Sequence, residues 1–398
     1  MTKVQAPPGR LPAQSPGRPA RGEPRPKATT ASGPADPAGR RGRLGPLVVG
    51  QLVVLELCAL AVWAATAGPV WVLAAVATPA VLLTVAVFAR RGGRWFYEDL
   101  LLRGRLRRRR DRAKRAATAG TLLDPRLAPL APELTVTELT DRGTRLGIGQ
   151  DNQGWFAALA LHGASGAPSG PVEAALVDRA LRVLGEFHGP VTRVQVVAHT
   201  LVWFPAPGAA PAAHRTVWIA LRLSVRDARI ETVTRGGGLP GVHRTLSTGV
   251  GRLGKALTAA GVAHHPLSRD ELRAAVLSAT GLDLVAMPPA ETWTGLRGGG
   301  WTHRCLALRA RSDTAFGALV DGVTATAAPS HTLAAGVLPG GRIVAPLLRV
   351  GATDNHVEAL VKVVGEVARR FGAPARPVDG QHGPGVYATA PVAATVDR

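Results

Sequence analysis

Residues able to do chemistry are sparse in this 398-residue chain, and few of them stand in useful company. The stretch Gly249-Val250-Gly251-Arg252-Leu253-Gly254-Lys255-Ala256 matches Gly-x-Gly-x-x-Gly and falls one residue short of a phosphate-binding loop. Ala256 stands where that loop needs a Ser or Thr hydroxyl for Mg²⁺, and the loop must also follow a strand and open a helix. Apolar residues instead recur at helical spacing from His243 to Ala260, which places the glycines inside a helix lying close on a sheet. Phe316–Asp321 imitates the acidic strand that accompanies such loops, but its spacing also reads as helix.

The histidines offer no better site. His264 and His265 are adjacent, so on a strand they point to opposite faces and share a metal poorly. His303 and Cys305 would share a strand face, with no third ligand at metal-like spacing. The sequence holds no Gly-x-Ser-x-Gly elbow, no His-Glu-x-x-His and no acidic cluster for Mg²⁺. No catalytic, metal or cofactor-binding residue is expected, and no cofactor. The two cysteines, Cys58 and Cys305, give no disulfide framework and accept a reducing compartment.

Two other features carry information because of where they sit. Glu56 lies in the middle of an apolar run, Leu47–Ala67, and a second run, Val70–Ala89, follows the uncharged link Gly68-Pro69. Each run is about 20 residues, enough to cross about 30 Å of hydrocarbon as a helix. A pair so linked is expected to form a two-helix transmembrane hairpin, since only helices or closed barrels satisfy the backbone in lipid. Arg40, Arg41 and Arg43 precede it, and Arg90, Arg91 and Arg94 follow it. The positive-inside rule then puts both termini in the cytosol, with the hairpin in the plasma membrane. Trp63 and Trp71 fall near the outer interface, and Trp95, Phe96 and Tyr97 near the inner one. A carboxylate at mid-membrane costs about 2.5–3.5 kcal/mol on insertion scales. Glu56 therefore reads either as a protonated group bonded to a neighbour such as Thr78, or as an assembly contact on another subunit's helix. A proton or ion pathway is the remaining reading, and two helices alone do not enclose one.

The formal net charge is +21, which by itself suggests nucleic acid or an anionic surface. Its placement decides between them. Residues 1–44 form a Pro-, Arg- and Gly-rich tail with too little apolar surface to fold, and are expected to be disordered. Residues 90–118 are expected to form a basic amphipathic helix leaving the membrane. Its run Arg107, Arg108, Arg109 and Arg110 would meet anionic lipid headgroups at about 1 kcal/mol per basic residue. The charge thus flanks the membrane segment. With two Tyr and seven Phe there is little material for base stacking, and no specific nucleic-acid partner is expected.

From residue 119 to 398 the pattern is that of an α/β (α+β) cytosolic domain, with a mixed or antiparallel sheet and packed helices. Leu134–Gln150 reads as a strand, Asp151–Gly154 as a turn and Trp155–Gly163 as the next strand. Pro171–Phe187, Val242–Gly261, Ser268–Gly281, Phe316–Val323 and Asn355–Gly372 read as helices, the third opened by a Ser268–Glu271 capping box. Val191–Pro205, Thr216–Val225, Val262–Ser268, Trp301–Arg311 and the pair Thr332–Pro339 and Gly341–Ala352 read as strands. Ala286–Trp293 reads as a loop and Val386–Ala394 as a last strand. The order suggests a weak duplication of strands followed by long helices.

Several short segments, taken in order, resemble one family. Gln153-Gly154-Trp155-Phe156, Val194-Gln195-Val196-Val197-Ala198-His199-Thr200, Thr216–Arg222 and Pro288–Trp293 with Glu291, followed by His303, are similar to successive segments of EccE. EccE is a membrane component of the actinobacterial type VII secretion system. The resemblance runs from about residue 45 to 370, and Leu296 departs from it where a second aromatic is expected. It implies a non-catalytic structural subunit that supports protein export. It also implies partners EccB, EccC and EccD, with EccC supplying ATP hydrolysis. Two competing readings are a membrane-anchored transferase at the inner leaflet and a nucleic-acid tether.

Overall fold

The computed structural model describes residues 43–44, 47–91, 94–119, 124–141, 143–163, 172–191, 193–206, 208–283, 285–311, 314–338 and 342–396. Most of the expected basic tail, Pro171 and the Pro339–Gly341 turn lie outside the described residues. The chain divides into two compact units, residues 1–89 and 90–398.

In the first unit, α1 (Val49–Ala65) and α2 (Val70–Phe88) form a hairpin across Gly68-Pro69. The 19 residues of α2, mean hydropathy 2.3, are long and apolar enough to cross a membrane. The apolar stretch of α1, Gly50–Ala65, is shorter than that. One helix of the expected pair thus meets the length of a span on its own. Gln51 is buried at the helix interface and donates its amide to the Val87 carbonyl at 3.0 Å, near the C-terminus of α2. Val54, Cys58 and Ala61 face Ala75, Val76 and Pro79 across the hairpin. At 100° per residue Glu56 falls on the opposite side of α1, and it is exposed, as is Thr78.

The second unit begins with α3 (Phe96–Ala119). A hairpin of β1 (Thr135–Asp141) and β2 (Thr144–Asp151) leads into β3 (Gly154–Leu161). Then come α4 (Ala175–Glu186), β4 (Arg193–Trp203), β5 (Ala212–Ser224), α5 (Val225–Glu231), α6 (Gly238–Ala259), β6 (His264–Pro266) and α7 (Arg269–Thr280). The rest is β7 (Ala290–Glu291), β8 (Leu296–Gly298), β9 (Trp301–Leu308), α8 (Phe316–Thr324), β10 (Ser330–Val337), β11 (Ile343–Thr353), α9 (Val357–Arg370), β12 (Ala375–Pro377) and α10 (His382–Ala388). These twelve strands make one sheet, ordered β7-β8-β9-β11-β10-β4-β5-β3-β2-β1, with β6 added on β3 and β12 on β9. Every pairing is antiparallel, which resolves the mixed-or-antiparallel expectation.

The sheet is a duplication, and its register shows it residue by residue. Gly154 faces Ser224 as Trp301 faces Thr353. Leu161 faces His264 as Leu308 faces Ala375. Arg193 faces Arg222 as Ser330 faces Gly351. Each half is therefore a β-α-β-β-α-β unit preceded by a hairpin and followed by one more helix. The halves join where β4 meets β10, and Val197 opposite Ala334 is the pair that the two-fold relation exchanges. An antiparallel pair carries a local two-fold axis, so joining equivalent edge strands extends one sheet through both halves without a new kind of contact.

Alternation along the strands separates two cores. One face carries Leu159, Val196, Ile219, Leu306, Leu348 and their neighbours against α4, α6, α8 and α9. The other carries Phe156, Val197, Trp218, Cys305 and Leu347 against α7, α10 and the last residues of the chain. Gly249, Gly251 and Gly254 lie within α6, and Gly249 approaches Leu221 on β5, so the loop-like motif is a helix packed on the sheet. Ser268 and Glu271 form the capping box of α7, with the Ser268 amide 2.8 Å from the Glu271 carboxylate.

Three sequence expectations are corrected. Leu134–Gln150 is two strands, β1 and β2, because Gly143 (φ +81°) turns the chain where β-rich residues on both sides masked the break. Ala286–Trp293 was expected to be all loop, but its last residues form β7, which pairs with β8. Val386–Ala394 is not a strand: its start completes α10, and the rest crosses the second core as an irregular buried segment.

Candidate functional site

The sequence segments that carry the family resemblance come from six strands or loops, and many of their polar side chains converge on the face covered by α7, α10 and the chain end. Each of these side chains does something specific there. At one end, Gln195 is buried and takes both amide functions to the C-terminal segment. Its Nε2 donates to the Ala388 carbonyl at 2.7 Å and its Oε1 accepts from the Ala393 amide at 2.8 Å. Gln153 does the same with Thr395, both bonds at 3.0 Å. Arg222 donates from Nε to the Val392 carbonyl at 2.8 Å and clamps Asp151 with its two terminal nitrogens at 2.6 and 2.7 Å. Tyr387 on α10 donates to the same carboxylate at 2.6 Å. Burial pushes the Asp151 carboxyl up, but the guanidinium and hydroxyl outweigh it and hold it below the usual range. Burial, aided by the Asp151 charge, raises the Tyr387 phenol well above its ordinary value. This is an irregular chain end held by side chains in place of a sheet ladder, so its backbone groups stay satisfied while buried.

At the centre lies a cation with no acidic hydrogen-bond partner among the described residues. The Arg349 side chain on β11 is fully buried. It donates to His303 Nδ1 at 2.8 Å, to Thr332 Oγ1 at 2.7 Å and to Ser330 Oγ at 3.2 Å. Because His303 Nδ1 accepts, its proton sits on Nε2 and the ring is neutral. Thr332 gives its own hydrogen to the Ala279 carbonyl at 3.1 Å, and its hydroxyl oxygen lies 2.9 Å from His199 Nδ1, which is also 3.4 Å from an Arg349 terminal nitrogen. The C-terminal turn of α7 faces the guanidinium: a Cβ added at Gly281 (φ +70°) would lie 2.7 Å from an Arg349 terminal nitrogen. The negative end of that helix helps to offset the buried charge. Burial pulls Arg349 down to about 10, so it stays charged at neutral pH. Burial first, then the Arg349 charge, drives His199 and His303 well below their ordinary values. The neighbouring Cys305 thiol is raised to about 12 by burial. That value makes it a poor nucleophile and a poor metal ligand. Among the described residues no cluster of three or more His, Cys, Asp or Glu could hold a metal ion.

At the other end, β7 meets α3. Arg109 reaches Glu291 in a bidentate pair, both bonds 3.0 Å, and also donates to the Gly380 carbonyl at 2.6 Å. Arg110 donates to the Glu291 carbonyl at 2.7 Å. The second Glu291 partner is the Gly383 amide at the start of α10, 2.8 Å away. The carboxylate side chain is 2% exposed and the Arg109 side chain 21%. Arg103, two turns earlier, lies 5.2 Å over the Trp293 ring, and Leu106 between them is buried. Gly380 (φ +76°) lets the chain turn flat beneath Trp293, since a Cβ there would come within 2.5 Å of the ring. The run Arg107–Arg110 is thus divided: Arg109 and Arg110 have protein partners, while Arg107 and Arg108 are exposed. Periodicity identified the helix but could not identify Glu291, 182 positions away, as the group that fixes it.

These features define an α+β module whose signature residues hold backbone segments together, in a chain that also carries one helix long and apolar enough to cross a membrane. Residues 211–308, from just before β5 to the end of β9, match the family model described as "Putative type VII ESX secretion system translocon, EccE". Over that segment the chain carries the signature of the EccE family of type VII secretion systems. Trp218, Arg222, Glu291, Trp293 and His303 fall inside it; Gln153, Gln195 and His199 precede it. Leu296, the departure from the expected aromatic, is fully buried in the second core. No curated protein matches the sequence.

Proposed function

We propose that the chain is a non-catalytic structural subunit of the type VII secretion membrane complex, supporting protein export across the plasma membrane together with EccB, EccC and EccD. The observation that supports this best is the use made of the family-bearing polar residues. Gln153, Gln195, Arg222 and Glu291 all bind backbone or neighbouring side chains of the same domain. In this reading ATP hydrolysis belongs to EccC.

The hairpin α1–α2 spans the membrane twice with both termini cytosolic, and α3 serves as a stem fixed to the cytosolic sheet. The stem is fixed because Arg109 and Arg110 grip one end of the sheet, so a displacement of α3 must break a partly buried ion pair. Such a rupture costs about 3–5 kcal/mol when it strands a buried charge. Arg107 and Arg108 remain available for anionic headgroups. Glu56, exposed on the side of α1 away from α2, is the assembly contact: an intramembrane carboxylate exposed in its own hairpin is stabilised by a partner from a neighbouring subunit.

The test is export itself. Deleting the chain from its native cell should stop type VII substrates from reaching the medium, and the full chain should restore them. Normal export in the deletion strain would remove the proposal.

A further inference from the structure

The two halves of the sheet differ in how they reach the helix that follows β5 or β11. In the second half β11 passes into α9 through residues 354–356 alone. In the first half residues 225–237 are inserted between β5 and α6, as α5 and a 3₁₀ turn, Val233–Arg235. The insertion adds little to the core: among its described side chains only Ala228 and Thr232 are buried. Its large apolar residues point outward. Val225 is 46% exposed, Ile230 74% and Val233 71%, and Leu239, in the first turn of α6, is 50% exposed. That turn folds back on the insertion, since a Cβ on Gly241 would lie 2.9 Å from Thr232. Arg226 and Arg229 are exposed among these residues. At 100° per residue Val225, Arg226, Arg229 and Ile230 share one half of the α5 circumference, and Ala228 and Thr232 fall in the other. Asp227 lies off the exposed face, where the Ser224 hydroxyl donates to its carboxylate at 2.7 Å. Glu231 falls on the same flank by helical spacing.

The exposed face therefore combines aliphatic side chains with arginines and sets the acidic positions aside. That charge segregation fits an anionic membrane surface: aliphatic side chains enter the acyl boundary while guanidiniums stay with the phosphates. Helix α2 of the same chain is long and apolar enough to cross a membrane. A tether of that kind raises the effective concentration of lipid at the face, so a contact too weak to act alone becomes sufficient. We propose that residues 225–239 form a second membrane contact of this chain. Val225, Ile230, Val233 and Leu239 enter the interface of the cytosolic leaflet, and Arg226 and Arg229 bind the phosphates of anionic lipids there. The proposal rests on the reading that the hairpin spans the membrane with the sheet domain on the cytosolic side.

The test uses the full chain in nanodiscs, with Cys58→Ser so that an environment-sensitive fluorophore can be placed at one chosen cysteine; Cys305 is fully buried. Thr234→Cys puts the label beside the proposed contact, and Val363→Cys puts it on the exposed side of α9, the equivalent helix of the other half. Discs of phosphatidylcholine with phosphatidylglycerol, doped with a doxyl-labelled lipid, report contact by quenching. The label at 234 should shift to the blue and be quenched about twofold or more, and the label at 363 should not. Discs of phosphatidylcholine alone, or high salt, should weaken the quenching. Arg226→Glu with Arg229→Glu, and separately Ile230→Ser with Val233→Ser, should each abolish it without changing the melting temperature appreciably, since all four positions are exposed. Co-elution of chain and disc reports the membrane hairpin separately. Co-elution with a label at 234 that stays in water overturns this proposal alone and leaves the surface to a protein partner. Equal quenching at 234 and 363, or quenching that survives both double variants, also overturns it. A chain that does not co-elute with the discs overturns the proposal and the membrane reading together.

Discussion

Arg109 and Glu291, 182 positions apart, meet in a bidentate ion pair with both bonds at 3.0 Å. That pair turns a basic helix into part of the folded domain. Arg109→Ala strands a carboxylate that keeps only the Gly383 amide, and should destabilise the docked helix by about 3 kcal/mol or more. The readout is trypsin sensitivity at Arg105, Arg107, Arg108 and Arg112, which are exposed but helical. Cleavage should accelerate strongly in Arg109→Ala and Glu291→Ala and remain slow in the parent. Equal rates in all three would mean that the pair does not hold the helix.

Tyr387 and Arg222 share one buried carboxylate, and their losses should differ in size. Tyr387→Phe removes one hydrogen bond to a charged acceptor and leaves the Arg222 clamp, so a loss of about 1.5–3 kcal/mol is expected. Asp151→Asn leaves Arg222 buried without its counter-charge and should cost about 3–5 kcal/mol. Chemical unfolding followed by tryptophan fluorescence compares the two. A Tyr387→Phe cost as large as that of Asp151→Asn would contradict the assignment of the clamp as the dominant contact.

Stability should fall steeply below pH 6.5. His199 and His303 are buried neutral, and His331 is lowered to about 3 by burial and then by nearby Arg215 and Arg349. For each, the folded pKa is below the unfolded value, so the unfolded chain binds more protons as acid is added. Their contribution is complete above pH 6.5 and is lost as pH falls toward the folded values. Each histidine adds a slope of about 1.4 kcal/mol per pH unit inside that window. Asp124, held at about 2 by Arg126, adds a further loss between its ordinary value of 3.8 and 2. Melting temperature measured from pH 8 to pH 4 should be flat at first and then drop. His331→Gln should reduce the slope. A flat profile to pH 4 would show that the histidines are not buried neutral.

Glu56→Leu should leave insertion into the membrane intact and weaken capture of the neighbouring subunits, because Glu56 is exposed on the side of α1 away from α2. Carbonate-extracted membranes report insertion, and quantitative recovery of co-purified subunits reports assembly. Unchanged recovery would assign Glu56 a role outside assembly.

What could be read from the sequence followed the physics of local pattern. Helical periodicity placed Gly249, Gly251 and Gly254 inside α6 and ruled against a phosphate loop, and the Ser268–Glu271 cap was legible in four residues. Alternation placed β4, β5 and β9 within a few residues. The duplication was visible only as an order of elements, because equivalence is carried by register and equivalent positions differ in type: Glu291 corresponds to Val136, judged by their partners Leu296 and Gly149. The site was legible only as a set of segments. Gln153, Gln195 and Arg222 could be singled out, but nothing in their spacing tells that they hold residues 388–395. Arg349 went unnoticed because one arginine in a strand gives no signal. Its burial among His303, Ser330 and Thr332 depends on three strands and the end of α7 meeting in space.

The central claim is that this chain is a structural part of a multi-subunit export complex. The most direct measurement is affinity purification of the tagged chain from its native membrane in mild detergent, with mass spectrometry of the proteins that accompany it. The expected result is recovery of EccB, EccC and EccD in defined ratios, with less of each from the Glu56→Leu strain. A chain that comes out alone, or with lipid-modifying enzymes in place of those subunits, would contradict the claim.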